Sequence, residues 1–131
     1  MLHSMIGFAA QEGAHEDSKL SRFGCMEMGK EIVLDVYRAT AAYPRVEAYG
    51  LVAQMRRASV SIPSNVAEGF NRFHNKEYRQ FIFIALGSCA ELETQVEISS
   101  DLGFVQQNIR DLIIEKLDHE TRMLRNLVKK L

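Results

Sequence analysis

The stretch from Tyr78 to Ser99, YRQFIFIALGSCAELETQVEIS, decides the fold. Its apolar and small residues recur at alternating steps of four and three, the spacing of a helix that packs against other helices in a bundle. Leu102-Gly103 follows, and a glycine there can take the left-handed conformation that ends a helix. The pattern predicts one buried seam, formed by Tyr78, Ile82, Ala85, Cys89, Leu92, Val96 and Ser99.

Similar periodicity on both sides of this stretch predicts two more helices. One spans about Arg22 to Ala42 and ends at Tyr43-Pro44, because proline disfavours helical geometry in the residue before it. Its buried face should hold Cys25, Ile32, Val33, Val36, Tyr37 and Thr40. The other spans about Gln106 to Lys130, with a stripe of Ile109, Ile113, Leu117, Leu124, Leu127 and Leu131.

A fourth helix should begin near Val46 and contain Pro63. A proline inside a helix removes one backbone hydrogen bond, so a kink is expected near Ser59 to Pro63, with the helix resuming beyond it. Residues 69–75 supply the turn that follows. The apolar stripe of this helix is Leu51, Met55, Ala58, Ile62 and Val66.

Four helices with short connections, and no alternating strand pattern, predict an all-α fold, an antiparallel up-down four-helix bundle over residues 22–131. Residues 1–21 show no sustained helical period and contain Gly7, Gly13 and a polar run, so we expect a flexible N-terminal tail. A chain of 131 residues is the size of one domain.

The composition is that of a globular protein, with 47% apolar and 25% charged residues. No apolar run approaches the roughly 20 residues of a membrane span, and the N-terminus lacks the pattern of a signal peptide, so we expect a cytoplasmic protein without membrane contact. Cys25 and Cys89 lack CxxC spacing and should be packing residues.

One face of the second helix is polar. Ser61, Ser64, Asn65, Glu68 and Arg72 fall within roughly 80° of Arg57 on a helical wheel. Such a face can simply meet water. Serine and asparagine are indifferent helix formers, however, so a structural polar network is the alternative. Its expected members are Arg57, Ser61, Asn65 and Glu68, which should meet Glu91 or Glu93 of the next helix, within or between subunits.

Two runs carry a resemblance to a known family: RRASVSIPSNVAEG, from Arg56 to Gly69, and GSCAELETQ, from Gly87 to Gln95. They resemble the core of the four-helix bundle family encoded by 23S ribosomal RNA intervening sequences, the S23 ribosomal proteins. Tyr43-Pro44 and Glu47 also match, so the resemblance covers roughly residues 22–131. It implies a ring-like homopentamer with no assigned catalytic activity. It also implies kinship with retroelement accessory variability proteins, whose basic pentamer surface engages nucleic acid.

The leading functional hypothesis is binding of RNA or another nucleic acid. The chain has a net charge of −1, so any affinity must come from a local patch. Residues 45–79 carry six basic and three acidic groups. Phe73 and Tyr78, interleaved with these cations, could stack on bases, although such residues more commonly fill helix junctions. The expected phosphate contacts are Arg56, Arg72, Lys76 and Arg79.

The alternative is a structural or protein-protein interaction scaffold without nucleic-acid binding. Catalysis is not expected: Gly87-Ser88 lacks the second glycine of a nucleophile elbow, and the histidines show no metal spacing. The carboxylates of the third helix lack the Glu-x-x-His pairs of a di-iron bundle. We therefore predict no catalytic residues, metal, cofactor or small-molecule substrate.

Overall fold

The computed structural model describes the backbone of residues 2–131 and the side chains of residues 19–131. Four α-helices make up most of this part of the chain, and a single 3₁₀ turn, Arg45–Glu47, precedes the second helix. No strand occurs among residues 2–131, as predicted. The helices are α1 (Leu2–Thr40), α2 (Leu51–Phe70), α3 (Asn75–Asp101) and α4 (Gln107–Lys129).

The helices pack antiparallel, each against two neighbours. Between α1 and α4, Lys130 Nζ donates to Ser21 Oγ at 2.6 Å, whereas Lys116 Nζ donates to Asp35 Oδ2 at 2.7 Å. Residue numbers therefore rise along one helix as they fall along the other. The same reversal joins α1 to α2, through Thr40–Arg56 and Gly29–Pro63, and α2 to α3, through Ser61–Ser88 and Met55–Ser99. Arg110 of α4 pairs with Glu97 of α3.

The first helix begins at Leu2, well before the predicted start near Arg22. Glycines at positions 7 and 13 each cost a helix only about 1 kcal/mol relative to alanine, and no proline stands before Pro44 to stop it. The side chains of residues 1–18 lie outside the described residues. The division into a tail, 1–21, and a bundle domain, 22–131, stays a prediction.

The predicted start of the second helix near Val46 is wrong, because α2 begins at Leu51. After Pro44 the chain forms the 3₁₀ turn, and the Gly50 amide donates to the Glu47 carbonyl at 3.1 Å. The carboxylate of Glu47 then accepts a hydrogen bond from the Leu51 amide at 3.3 Å. This short turn supplies the reversal between α1 and α2 that a longer helix could not.

The predicted seam of α3 is confirmed at every position, each being buried. The end of α3 is also confirmed: Gly103 has φ 76°, and the Phe104 amide donates to the Ser99 carbonyl at 2.9 Å. In α1 the prediction for Tyr37 is wrong, because its side chain is 41% exposed and its ring lies 4.5 Å below the Arg56 guanidinium. A tyrosine at the edge of an apolar face can keep its ring packed while reaching water.

Pro63 lies inside α2 and does not end it, so the helix resumes beyond the proline as predicted. Pro63 is buried and faces Gly29 of α1. A Cβ added to Gly29 would lie 3.2 Å from Pro63 Cβ. The missing side chain on α1 therefore gives the proline ring its space.

Cys25 of α1 and Cys89 of α3 are free thiols, buried in the core as predicted. Burial raises the pKa of each thiol to about 12, with the nearby Glu120 carboxylate as the second cause. Both cysteines therefore act as small apolar side chains.

Candidate functional site

The turn between α2 and α3 presents the basic residues singled out in the sequence. Helix α2 ends at Phe70 and α3 begins at Asn75, so four residues cross one end of the bundle. Every residue from 71 to 77 is exposed. We use the name turn patch for Arg72, Phe73, His74, Lys76 and Arg79.

Arg72 is held by neighbours on both helices. Its Nη2 pairs with Glu68 Oε1 of α2 at 2.9 Å, and its guanidinium lies 4.8 Å from the ring centroid of Phe81 in α3. The Arg72 side chain remains 41% exposed. Its direction is therefore fixed while part of its surface still meets solvent.

Lys76 and Arg79 lie on the first turns of α3, three residues apart, where side chains share one side of a helix. Both are exposed, and neither forms an ion pair with the residues from 19 to 131. Their positive charges therefore face solvent. Glu77, also exposed, is the acidic group between them in sequence.

The two aromatic residues of this region behave differently. Tyr78 is buried, and its ring meets Phe70 edge-on with centroids 6.2 Å apart. Phe73 is 98% exposed. The expectation that such residues fill the helix junction is right for Tyr78, which stands on the α3 seam, and wrong for Phe73, which stands in the turn beyond both helices.

Arg56 does not join the turn patch. It stands near the start of α2, about 21 Å along the helix from Phe70, the last residue before the turn, at 1.5 Å per residue. Its Nε donates to Thr40 Oγ1 at 3.0 Å, and its guanidinium stacks on Tyr37. The geometry makes Arg56 a packing residue between α1 and α2.

Part of the predicted polar network exists between α2 and α3. Ser61 Oγ and Ser88 Oγ are 2.8 Å apart, and Asn65 Nδ2 donates to Ser61 Oγ at 2.9 Å. Ser88 was missing from the prediction, although its place on α3, four residues before the seam position Leu92, was a usable signal. Glu68 turns away from this cluster toward Arg72.

The structure does not bring Arg57 to Glu91 or Glu93. All three are exposed, and no ion pair joins them within the part of the chain whose side chains are described. Glu91 instead accepts a hydrogen bond from Gln95 Nε2 at 3.4 Å. A contact between subunits, the other half of the prediction, stays a prediction.

Glu120 is a further polar residue that the sequence pattern did not predict. It stands on the core stripe of α4 and is fully buried, and its two carboxylate oxygens accept no hydrogen bond from the described residues. Burial raises its pKa from the ordinary 4.5 to about 8. A Cβ added to Gly29 would lie 3.0 Å from Glu120 Oε2, so the glycine leaves room for the carboxyl group.

Between residues 19 and 131, no group of three His, Cys, Asp or Glu side chains could hold a metal ion. An open hollow of about 530 Å³ at the opposite end of the bundle is lined by Ala39, Phe104 and Ile109, among others, with Gln106 as its polar side chain. None of the helices described is long and apolar enough to cross a membrane.

Antiparallel helices with a shared core, joined by an exposed basic turn, define a small four-helix bundle protein. The chain belongs to the 23S rRNA-intervening sequence protein family, whose family model matches residues 22–126. A comparison with curated protein sequences gives no match.

Among solved structures, the chain is similar to a protein of unknown function from the S23 ribosomal protein family of Bacteroides thetaiotaomicron. The TM-score is 0.76 at 14% identity, over 83% of this chain and 98% of that one. At this identity the likeness shows the fold, and it agrees with the four helices seen here.

Proposed function

We propose that this chain is a non-enzymatic, cytoplasmic bundle protein that assembles as a ring-like homopentamer and binds RNA or another nucleic acid through the turn patch. The observation that supports binding is the exposure of Lys76 and Arg79, unpaired among residues 19–131, beside the anchored Arg72. Phosphates are the natural partners of such groups. No cofactor, membrane or small-molecule substrate takes part in the proposed function.

Assembly matters to this proposal because the whole chain has a net charge of −1. One patch of three cations attracts nucleic acid weakly, since general electrostatic attraction is absent. A closed ring repeats the same patch on every subunit and can place several along one strand. Linked weak contacts then bind far more tightly than one contact alone.

The test compares binding of a mixed-sequence RNA across a series of salt concentrations. Each phosphate contact releases a counterion, so the logarithm of affinity should fall with that of salt, by roughly 0.7 units per contact on a single strand. Replacing Arg72 and Lys76 with alanine should flatten this slope without changing helicity. Filter binding measures the affinities, and circular dichroism measures the helicity.

The matched control removes two exposed cations elsewhere, Arg122 and Arg125 of α4, by the same substitution to alanine. This variant has the same net charge as the first, so a general charge effect would weaken both equally. Equal slopes for the two variants, or no RNA retained at low salt, would refute the binding site.

A structural or protein-protein scaffold without nucleic-acid binding is the second candidate function. The observation that favours it is the exposure of apolar residues on two helices: Val60 of α2 is 40% and Ile84 of α3 51% exposed. Arg57, three residues before Val60 on α2, is exposed as well. Apolar side chains around a charged residue are common in protein interfaces. If the protein forms an oligomer but retains no RNA at low salt, the scaffold function is favoured over nucleic-acid binding.

A further inference from the structure

We propose that the turn patch binds unpaired nucleotides, with the Phe73 ring stacking on a base and Lys76 and Arg79 contacting the neighbouring phosphates. The inference rests on the proposed nucleic-acid function and narrows its ligand from nucleic acid in general to single strands. It depends on the exposed position of Phe73 and on the small amount of unpaired positive charge in the turn patch.

The position of Phe73 leaves its ring available to a ligand. The side chain is 98% exposed at the end of the bundle, whereas the ring of Tyr78, five residues later, is buried. A single exposed aromatic residue is ordinary on a protein surface. Phe73, however, is flanked by Arg72, His74 and Lys76, and aromatic rings among cations are the composition of surfaces that bind single strands.

The charge balance of the turn patch limits the affinity that phosphate contacts alone can provide. Arg72 is already paired with Glu68, at 2.9 Å, and Glu77 is exposed next to Lys76. Only Lys76 and Arg79 therefore offer unpaired positive charge. A patch of three cations, one of them already shared with a carboxylate, gives modest affinity at physiological salt, so a contact that does not depend on charge would strengthen binding.

Base stacking supplies such a contact, and it discriminates between ligands. Every base has an aromatic face, so stacking on Phe73 tolerates any sequence. In a duplex these faces are covered by the neighbouring base pairs, whereas in a single strand they can be splayed out. Phe73 should therefore favour single-stranded over double-stranded RNA of the same sequence.

The experiment measures binding of a labelled mixed-sequence RNA, as a single strand and as a duplex, by fluorescence anisotropy. Phe73→Ala should weaken single-strand binding by about tenfold, including at high salt, and leave duplex binding unchanged. Phe73→Tyr keeps a ring and should bind like the parent. The matched control is Tyr49→Ala, because Tyr49 is 99% exposed at the other end of the bundle, and this variant should also bind like the parent.

The outcomes separate this inference from the proposed function. If the parent binds single strands and Phe73→Ala binds them equally well, the stacking inference is wrong while nucleic-acid binding stands. If Phe73→Ala and Tyr49→Ala weaken binding alike, Phe73 has no special role and the inference is also wrong. If the parent retains neither RNA at low salt, both the inference and the proposed function fail.

Discussion

Burial keeps the Glu120 carboxyl protonated near neutral pH, because its ionised form would leave a charge in the core without a partner. Three groups near it carry no charge at neutral pH: the Cys25 thiol from α1, Pro63 from α2 and the Cys89 thiol from α3. A carboxyl pKa raised by folding makes the folded state hold a proton that the unfolded chain releases. Stability should therefore fall as pH rises from about 4.5 to about 8.

Replacing Glu120 with glutamine should remove this dependence. Each pH unit within the window costs the folded parent up to about 1.4 kcal/mol, so Glu120→Gln should be more stable by roughly 3 kcal/mol near neutral pH. Near pH 4.5 the two proteins should differ little, because the parent carboxyl is then protonated in the folded state. Denaturant unfolding at a series of pH values gives the free energies.

Glu115→Gln is the control, since Glu115 is exposed on the same helix. It should leave both the stability and its pH dependence unchanged. If Glu120→Gln loses stability with rising pH just as the parent does, another group causes the dependence and Glu120 is not the buried titrating residue.

Single residues were the least predictable part of this molecule. Periodicity marks a core position by its apolar side chain, so a glutamate on the α4 stripe was passed over although its spacing from Leu117 and Leu124 fits the core. Phe73 was misjudged for the opposite reason, because apolar character predicts burial and a turn residue has no helix to carry it inward. The charged members of the patch, Lys76 and Arg79, were easier, since exposure is the rule for such groups.

At the scale of elements, α2 and α3 lie very close together at Gly69. A Cβ added there would lie 2.9 Å from Phe81 Cβ and 3.2 Å from the Tyr78 carbonyl oxygen. Neither atom is the end of a flexible side chain, so the helices would have to separate. Gly69 therefore sets the distance between these two helices next to the turn patch.

Gly69→Ala should destabilise the protein by roughly 1 to 3 kcal/mol, because overpacking outweighs the better helix propensity of alanine. Gly87→Ala supplies the matched comparison, since a Cβ at Gly87 meets nothing within 4 Å. That second variant should gain about 0.5 to 1 kcal/mol. Thermal unfolding of both variants tests the pair, and equal shifts in the same direction would contradict the close approach at Gly69.

The elements themselves were largely predictable from helical spacing. The seam of α3 and the ends of α1 and α3 follow from apolar periodicity, Pro44 and Gly103, each acting through local geometry. The start of α2 did not follow, because the segment after Pro44 is compatible with a helix and only the 3₁₀ turn with Glu47 sets the first residue at Leu51. The start of α1 was predicted wrongly, because no residue before Arg22 prevents the helix from extending toward the N-terminus.

At the scale of the whole molecule, charge is divided unevenly between helices. Residues 80–105, most of α3, carry four acidic groups and no basic group, whereas Arg57 is exposed on the neighbouring α2 without an ion pair among residues 19–131. A subunit with both signs on adjacent helices can join a second copy through opposite charges. This division fits the proposed ring.

Arg57→Glu should break the assembly while leaving helicity unchanged. A charge left unpaired in a buried contact costs about 3 to 5 kcal/mol, whereas an exposed pair is worth about 1 kcal/mol at most. Adding Glu91→Arg to the first substitution should restore assembly if the two residues meet across subunits. Native mass spectrometry of the parent, the single variant and the double variant gives the number of subunits.

Arg122→Glu, an exposed change of the same kind on α4, is the control and should assemble like the parent. A parent that is monomeric at micromolar concentration would rule out the ring. A parent that assembles together with an unaffected Arg57→Glu variant would show that the polar face of α2 simply meets water.

The two buried thiols can report when the bundle opens. Only the thiolate reacts with alkylating reagents, and Cys25 and Cys89 are both enclosed and held in the thiol form. Labelling of either cysteine therefore requires an opening motion in which a helix separates from its neighbours. Amide hydrogen exchange depends on local opening in the same way. Because Cys25 belongs to α1 and Cys89 to α3, their separate labelling rates reveal whether the bundle opens as a unit or releases one helix at a time.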